Sequence, residues 1–201
     1  MLFFCLFLSA YADSKKMSLN NKVIILDAGH GGKDVGSSYK DIYEKDINLN
    51  IVKSLEKELI NKGATVILTR NGDYDLSKPK ASRRKKSDFD NRILLINNSK
   101  ANLYLSIHLN YFNDSKYSGA QVFYNKDNKE LAELIQNKLN KNRKIKKLDS
   151  KLYMYGKLKV PGVLIECGFL SNYKDRENLQ DKKYIKKMSK DIVNAVIKFY
   201  N

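Results

Sequence analysis

The chain has 201 residues, the length of one domain with little to spare. Hydrophobic residues make up 42% of it, which is enough for a core, and two cysteines cannot form the disulfide framework of a small secreted scaffold. The formal net charge of +16 favours polyanions such as nucleic acid, anionic cell-wall polymers or acidic lipid surfaces, but no basic motif interleaved with aromatic residues singles out nucleic acid.

The amino terminus is an apolar stretch too short to span a bilayer. It ends in Ala10-Tyr11-Ala12, which fits the small-x-small pattern of a signal-peptidase site. We therefore predict an export signal over residues 1–12, although it lacks the usual basic residues before the apolar core. A retained membrane-surface anchor and a mis-set start codon are the alternatives. Residues 13–21 are polar and are predicted to be a linker to a domain over residues 22–201.

Strand and helix patterns then alternate along the chain. Continuous apolar runs predict strands over residues 23–26, 64–69, 103–108, 120–124 and 163–166. Helical spacing of apolar residues predicts helices over residues 46–62, 88–98, 129–141 and 181–199. The basic segment 70–90 is long for a connection and is expected to be mobile or functional. The alternation predicts a single α/β domain with a twisted, mostly parallel sheet flanked by helices.

The chain contains only two histidines, His30 and His108, and each lies just past an apolar run. Side chains at the carboxyl ends of parallel strands emerge into a ligand crevice. Two imidazoles in matching positions, with acidic residues near, favour a metal site at this edge. The alternative is that one or both are ordinary polar residues at strand ends.

A catalytic zinc usually takes three protein ligands and leaves one position open for water. Glu44 opens the helix after the glycine-rich turn and is a candidate third ligand, in competition with Asp34, Asp41 and Asp46. Glu44 could equally do no more than complement the helix dipole. The turn itself lacks the lysine-serine ending of a phosphate-binding P-loop.

Glu166 ends the last predicted strand after three apolar residues. A carboxylate there is costly unless it is used or paired, so it is a candidate metal ligand, general base or partner of a lysine. The neighbouring Cys167 is expected to be a small core residue, and Cys5 falls within the predicted export signal.

These residues lie in segments that resemble the motifs of the zinc-dependent N-acetylmuramoyl-L-alanine amidases of the amidase-3 family. The matching segments are residues 27–34, 44–49, 68–70, Arg92 with 96–97, 106–110 and 161–172. They occur in the order of the family, and the match as a whole covers about residues 22–200.

The resemblance implies one zinc ion bound by His30, Glu44 and His108, with Glu166 as the catalytic acid and base. It also implies a phosphorylase/hydrolase-like fold. Asp27 and Asn110 are candidates for orienting the imidazoles. Arg92 is expected either to face the glycan or a peptide carboxylate, or to pair within the fold.

The implied reaction is hydrolysis of the amide bond between the lactyl group of N-acetylmuramic acid and L-alanine. The short catalytic domain is most similar to the germination-specific amidases of spore formers, which implies a role in forming muramic-δ-lactam in spore cortex and in germination. The expected location is outside the cytoplasmic membrane, in the forespore intermembrane space or cortex. The expected partners are peptidoglycan glycan strands and a protein activator, with no nucleic acid and no transmembrane helix.

Two other classes of function stay open at this point. One is a different zinc-dependent peptidoglycan hydrolase, a peptidase or a deacetylase. The other is a protein without catalysis, either a cell-wall-binding module or a nucleic-acid binder supported only by net charge.

Overall fold

The computed structural model describes residues 17–125, 128–149 and 151–201. The predicted export signal at residues 1–12 lies outside the described residues. Of the predicted linker only residues 17–21 are described, and there Leu19 is buried in the core. Within the described ranges, no helix is both long enough and apolar enough to cross a membrane.

The described part of the chain contains eight strands. In chain order they are β1 (Val23–Ala28), β2 (Ser38–Tyr39), β3 (Ile42–Tyr43), β4 (Thr65–Leu68), β5 (Leu103–Asn110), β6 (Gln121–Tyr124), β7 (Lys146–Lys147) and β8 (Gly162–Phe169). Six of them form one sheet in the order β4-β1-β5-β8-β6-β7, and β2 and β3 form a separate small hairpin.

Strands β4, β1, β5 and β8 run parallel to one another, and β6, together with β7 parallel to it, runs antiparallel to β8. Five helices accompany the strands: α1 (Glu44–Ile60), α2 (Arg84–Asn98), α3 (Lys129–Leu139), α4 (Tyr173–Asn178) and α5 (Lys182–Tyr200). The predicted α/β domain with a mostly parallel sheet is confirmed.

Both faces of the sheet are covered, by different partners. Side chains alternate along a strand, so Ile24 and Leu26 of β1 join the large cluster formed with α1, α3 and α5, whereas Ile25 joins a second cluster. Residues of α2 and of the segment before β8 complete that second cluster, among them Ile96 and Met154.

The same alternation decides which polar side chains share a face. In β5, Leu105 and Ile107 belong to the large cluster and Tyr104 to the second one. Ser106 and His108 therefore lie on the face covered by α2. Glu166 lies opposite His108 on the adjacent strand β8. Ser106, His108 and Glu166 thus lie close together on the face of the sheet that α2 covers.

Several elements differ in extent from the sequence prediction. Helix α2 begins at Arg84, four residues earlier than predicted. The prediction missed this first turn because the turn is polar and carries no apolar stripe. Helix α1 begins at Glu44 and ends at Ile60, so Gly63, with φ of 90°, lies in the turn that follows. The hairpin, β7, α4 and a single 3₁₀ turn at Tyr155–Lys157 were not predicted, since elements this short carry too little periodicity.

Candidate functional site

His30 lies in the tight turn that follows β1, with its backbone in the left-handed region at φ of 62°. Its Nδ1 is 3.0 Å from Asp34 Oδ2, and its Nε2 is 3.2 Å from Glu44 Oε1. A side chain with a β-carbon adopts this backbone conformation at a cost, which the surrounding turn has to offset. Asp34, a rival ligand in the sequence, thus contacts the imidazole nitrogen that faces away from Glu44.

Glu44 is the first residue of α1 and is buried. Its Oε2 accepts hydrogen bonds from the backbone N–H of Ser37 at 2.8 Å and from the Ser37 hydroxyl at 2.9 Å. Its Oε1 accepts from the backbone N–H of Leu109 at 3.0 Å. The carboxylate is therefore fixed from both sides, and Oε1 points at the two histidines.

Gly36 makes room for this carboxylate. With φ of 70°, it lies so close that an added Cβ would be 2.7 Å from both Glu44 Oε2 and the His30 ring. The glycine-rich turn thus allows the side chains of His30 and Glu44 to approach each other, and this role differs from binding a phosphate.

His108 comes from β5, and its Nδ1 is 3.1 Å from Glu44 Oε1. The ring centroids of His30 and His108 are 5.0 Å apart. Candidate ligand atoms of His30, Glu44 and His108 all lie within 4.8 Å of one another. Among the residues with described positions, this is the one group of three or more His, Cys, Asp or Glu side chains that could hold a metal ion, so Asp41 and Asp46 are not part of it.

The charges of this cluster are strongly coupled. Burial disfavours the charged form of His30, but hydrogen bonds to Asp34 and Glu44 outweigh it and raise the pKa of His30 to about 9. Burial likewise acts against ionised Glu44, yet His108 and His30 hold its pKa far below the usual value. In the metal-free protein the cluster therefore holds a proton on His30 and a negative charge on Glu44.

Glu166 is partly exposed, but its Oε2 is buried and has no hydrogen-bond partner. Burial raises the pKa of Glu166 to about 7, His108 and His30 oppose that rise, and Glu44 adds to it. A buried carboxylate oxygen without a partner is uncommon and calls for an explanation in function or in an additional ligand. The same residue was singled out from the sequence for its position at the end of a strand.

The donor set fits a zinc ion. Two imidazole nitrogens and one carboxylate oxygen are a familiar three-ligand set for catalytic zinc, which leaves a fourth position open. The partnerless Oε2 of Glu166 lies on the strand next to His108, where a polar group of a bound water or substrate would satisfy it.

Arg92 pairs within the fold. Its Nη1 donates to Asp27 Oδ1 at 2.6 Å, and its Nε lies 3.1 Å from both Asp88 oxygens. It also donates to the backbone oxygens of Ala28 and His30. Asp27, Asp88 and Arg92 are almost entirely buried. Of the two roles expected from the sequence, glycan contact or internal pairing, the geometry matches internal pairing.

Within the described part of the chain, neither Asp27 nor Asn110 forms a hydrogen bond with an imidazole. Asp27 accepts from Arg92, Thr69 and Ser106, and Arg92 holds its pKa below the usual value against the opposing effect of burial. Asn110 lies at the end of β5, where the register with β8 shifts, and its backbone oxygen accepts from Leu170. Cys167 is a buried free thiol in the large cluster, as expected.

The sequence did not point to three residues that touch the cluster. Ser37 donates to Glu44, Asn48 approaches Glu44 Oε1 at 3.4 Å, and the Tyr155 hydroxyl is 3.4 Å from His108 Nε2. Asn48 could have been found, because it lies one helical turn after Glu44 on the same face. Nothing in the local sequence marks Ser37 or Tyr155.

A cavity opens beside the two histidines. Its walls come from Phe89 of α2 and from residues 152–155, and Arg92 lies behind it. An apolar cleft next to a group of convergent polar side chains is the common form of a small-molecule or substrate site.

Comparison with known proteins places this site in a family. Residues 24–198 match the family model Amidase_3, described as N-acetylmuramoyl-L-alanine amidase. The chain is 38% identical over 195 residues to the germination-specific N-acetylmuramoyl-L-alanine amidase of Bacillus subtilis, covering 92% of this chain and 82% of that protein.

Two solved structures are similar in fold and sequence. One is the CwlD amidase from Clostridioides difficile in complex with the GerS lipoprotein, with a TM-score of 0.84, 43% identity, and coverage of 89% of this chain and 98% of that one. The other is an N-acetylmuramoyl-L-alanine amidase from Clostridium difficile 630, with a TM-score of 0.76, 29% identity, and coverage of 90% and 97%.

Proposed function

This chain belongs to the amidase-3 family of N-acetylmuramoyl-L-alanine amidases, and from that premise we propose that it is a zinc-dependent amidase of spore-cortex peptidoglycan. The bond cleaved joins the lactyl carbonyl of N-acetylmuramic acid to the amine of L-alanine. The observation that carries the zinc dependence is the convergence of His30, Glu44 and His108 within 4.8 Å. The germination role rests on the similarity to the Bacillus subtilis enzyme.

In this proposal His30, Glu44 and His108 hold the metal. When bound, zinc supplies a Lewis acid that polarises the scissile carbonyl and makes water a better nucleophile at neutral pH. Ser37 and Leu109 keep the Glu44 carboxylate in place through hydrogen bonds to its two oxygens. Asp34 fixes the ring of His30 from the opposite nitrogen.

Glu166 moves the protons. Its ionised carboxylate accepts a proton from the attacking water, and it then delivers that proton to the nitrogen of L-alanine as the C–N bond breaks. A carboxyl group whose pKa is raised to about 7 by burial can serve in both directions near neutral pH. The partnerless, buried Oε2 supports this assignment, because it has no competing hydrogen bond.

The test is digestion of purified cortex peptidoglycan by the wild type and by Glu166→Gln. We expect the variant to retain zinc and to lose at least about 100-fold in turnover, since general acid–base catalysis typically contributes about 10²–10⁴-fold. Glu177→Gln, an exposed glutamate of α4, is the matched control and should leave activity unchanged. Equal turnover of Glu166→Gln and wild type would refute the role of Glu166.

Mass spectrometry of the products separates the proposal from its rivals. An amidase releases intact stem peptides from the glycan, a peptidase shortens the peptides, and a deacetylase leaves both linked with acetyl groups removed. Absence of all three products from the wild type supplied with zinc and with an extract of sporulating cells would favour a wall-binding module.

We also propose that the protein acts outside the cytoplasmic membrane and works with a lipoprotein partner. The support is the Clostridioides difficile relative, whose structure is a complex with the GerS lipoprotein. The net charge of +16 suits an enzyme that works on anionic wall polymers. Digestion with and without an extract of sporulating cells measures the dependence on a partner.

A further inference from the structure

The two histidines present different ring nitrogens to Glu44. His30 directs Nε2 at Glu44 Oε1 and Nδ1 at Asp34. His108 directs Nδ1 at the same Glu44 oxygen, at 3.1 Å, and its Nε2 faces the hydroxyl of Tyr155 at 3.4 Å. A histidine that binds a metal through Nδ1 has to carry its proton on Nε2.

A line of hydroxyl groups leads from His108 to a buried carboxylate. The Tyr155 hydroxyl is 3.3 Å from Ser106 Oγ, and Ser106 Oγ donates to Asp27 Oδ2 at 2.8 Å. Ser106 and Asp27 are buried, and Arg92 and Thr69 bind the other carboxylate oxygen of Asp27. Residues from three segments far apart in sequence, namely β1, β5 and the turn at Tyr155, thus form one chain of polar contacts.

The direction of each hydrogen bond in this chain follows from counting protons. Asp27 is ionised beside Arg92, so it can only accept. Ser106 has a single hydroxyl proton and gives it to Asp27, so towards Tyr155 it can only accept. Tyr155 then gives its own proton to Ser106, and its oxygen accepts from His108. The remaining donor of this chain has to be an N–H at His108 Nε2, while Nδ1 of the same ring donates to the ionised Glu44 in the metal-free protein.

We propose that Tyr155 and Ser106 are positioning residues that link His108 to the buried carboxylate of Asp27 and keep the proton on Nε2 when zinc is bound, so that Nδ1, the nitrogen that faces Glu44, is the one that ligates the metal. The inference rests on the proposed function only in that the cluster binds zinc. The inference gives the buried Asp27–Arg92 pair a role at the site, because Asp27 reaches His108 only through Ser106 and Tyr155. Outer hydrogen bonds of this kind typically change metal affinity by about 10–100-fold.

The alternative is that Tyr155 only fills the cavity wall. Tyr155→Phe separates the two explanations, because it removes the hydroxyl and keeps the ring. We expect its zinc dissociation constant, measured by competition with a chelator, to rise about 10–100-fold. Tyr153→Phe is the matched control, since that hydroxyl donates to Asp90 instead, and its zinc affinity should stay within about twofold of wild type.

Ser106→Ala should weaken zinc binding by a similar factor. The double variant Tyr155→Phe/Ser106→Ala should be little weaker than either single variant, because both interrupt one chain of hydrogen bonds. A Tyr155→Phe protein that folds with unchanged zinc affinity would overturn the proposal.

A second measurement uses the wild type alone and does not depend on a variant that folds. Imidazole ¹⁵N spectra of the zinc-loaded protein should show His108 protonated on Nε2 with the metal on Nδ1. A proton found on Nδ1 would overturn the proposal. Both measurements read zinc binding, so wild-type protein that binds zinc as described but releases no stem peptide, even with an extract of sporulating cells, would count against the amidase function and leave this inference standing.

Discussion

At the scale of single residues, a proton and the metal compete for the imidazole of His30. His30 has a raised pKa because Asp34 and Glu44 both hydrogen-bond to its ring and together outweigh its burial. A protonated imidazole cannot ligate zinc, so binding has to release this proton. The same partners that orient His30 therefore make zinc binding dependent on pH.

The resulting prediction concerns zinc affinity between pH 7 and 9. Because the pKa of His30 in the metal-free protein is about 9, affinity should rise with pH by roughly tenfold per unit and level off above that value. Titration with a chelator of known affinity in buffers across this range measures it. Affinity that does not change between pH 7 and 9 would show that His30 is neutral in the metal-free protein.

Asp34→Asn provides the control for this effect. The amide cannot carry the charge that favours protonated His30, so the pH at which affinity levels off should move down. The direction of that movement distinguishes the ion pair from a general effect of pH on folding.

At the scale of elements, helix α2 is attached to the site through one side chain. Arg92 donates to Asp27 and to the backbone oxygens of Ala28 and His30, and Asp88 of the same helix binds its Nε. The guanidinium thereby links α2 to the end of β1 and to the turn that carries His30. Removing one member of a buried ion pair leaves an uncompensated charge, which is more costly than the pair itself is stabilising.

We therefore expect Arg92→Leu to lower the free energy of unfolding by about 3–5 kcal/mol. Urea denaturation of the metal-free protein measures the loss. Arg83→Leu is the control, because Arg83 is exposed at the start of the same helix and surface substitutions usually change stability by no more than about 0.5 kcal/mol. A similar loss in both variants would show that the buried ion pairs of Arg92 contribute no more to the free energy of unfolding than an exposed arginine does.

At the scale of the whole molecule, the site is built from residues that are far apart in sequence and come together only when the chain folds. His30 follows β1, Glu44 begins α1, His108 lies in β5 and Glu166 in β8. A ligand that binds only the folded arrangement stabilises it by mass action, by about 2.7 kcal/mol at a free concentration of 100 times the dissociation constant.

The corresponding prediction is a rise in Tm of roughly 5–11 °C when metal-free protein receives saturating zinc, since about 1 kcal/mol shifts Tm by about 2–4 °C at this chain length. Differential scanning calorimetry with zinc and with excess chelator measures it. His108→Ala should show no zinc-dependent shift. An equal zinc-dependent shift in wild type and His108→Ala would place the bound ion elsewhere.

Much of the fold could be read from local patterns. Continuous apolar runs predicted β1, β4, β5, β6 and β8 to within a few residues, because the central strands β1, β5 and β8 are largely buried and carry apolar side chains at most positions. The family membership rested on the same strand ends and is confirmed. The start of α2 was missed because its first turn is basic and makes no apolar contact that would give it a periodic pattern.

The sequence by itself determined which residues were candidates: two histidines and two glutamates at the ends of strands and the start of a helix. Only the tertiary structure decided their partners, namely Asp34 beside His30, Ser37 on Glu44, and Tyr155 behind His108. The physical reason is that strand and helix patterns arise from neighbours along the chain. A hydrogen bond between residues 27 and 106, or between 108 and 155, depends on how separate elements pack, and no local pattern encodes it.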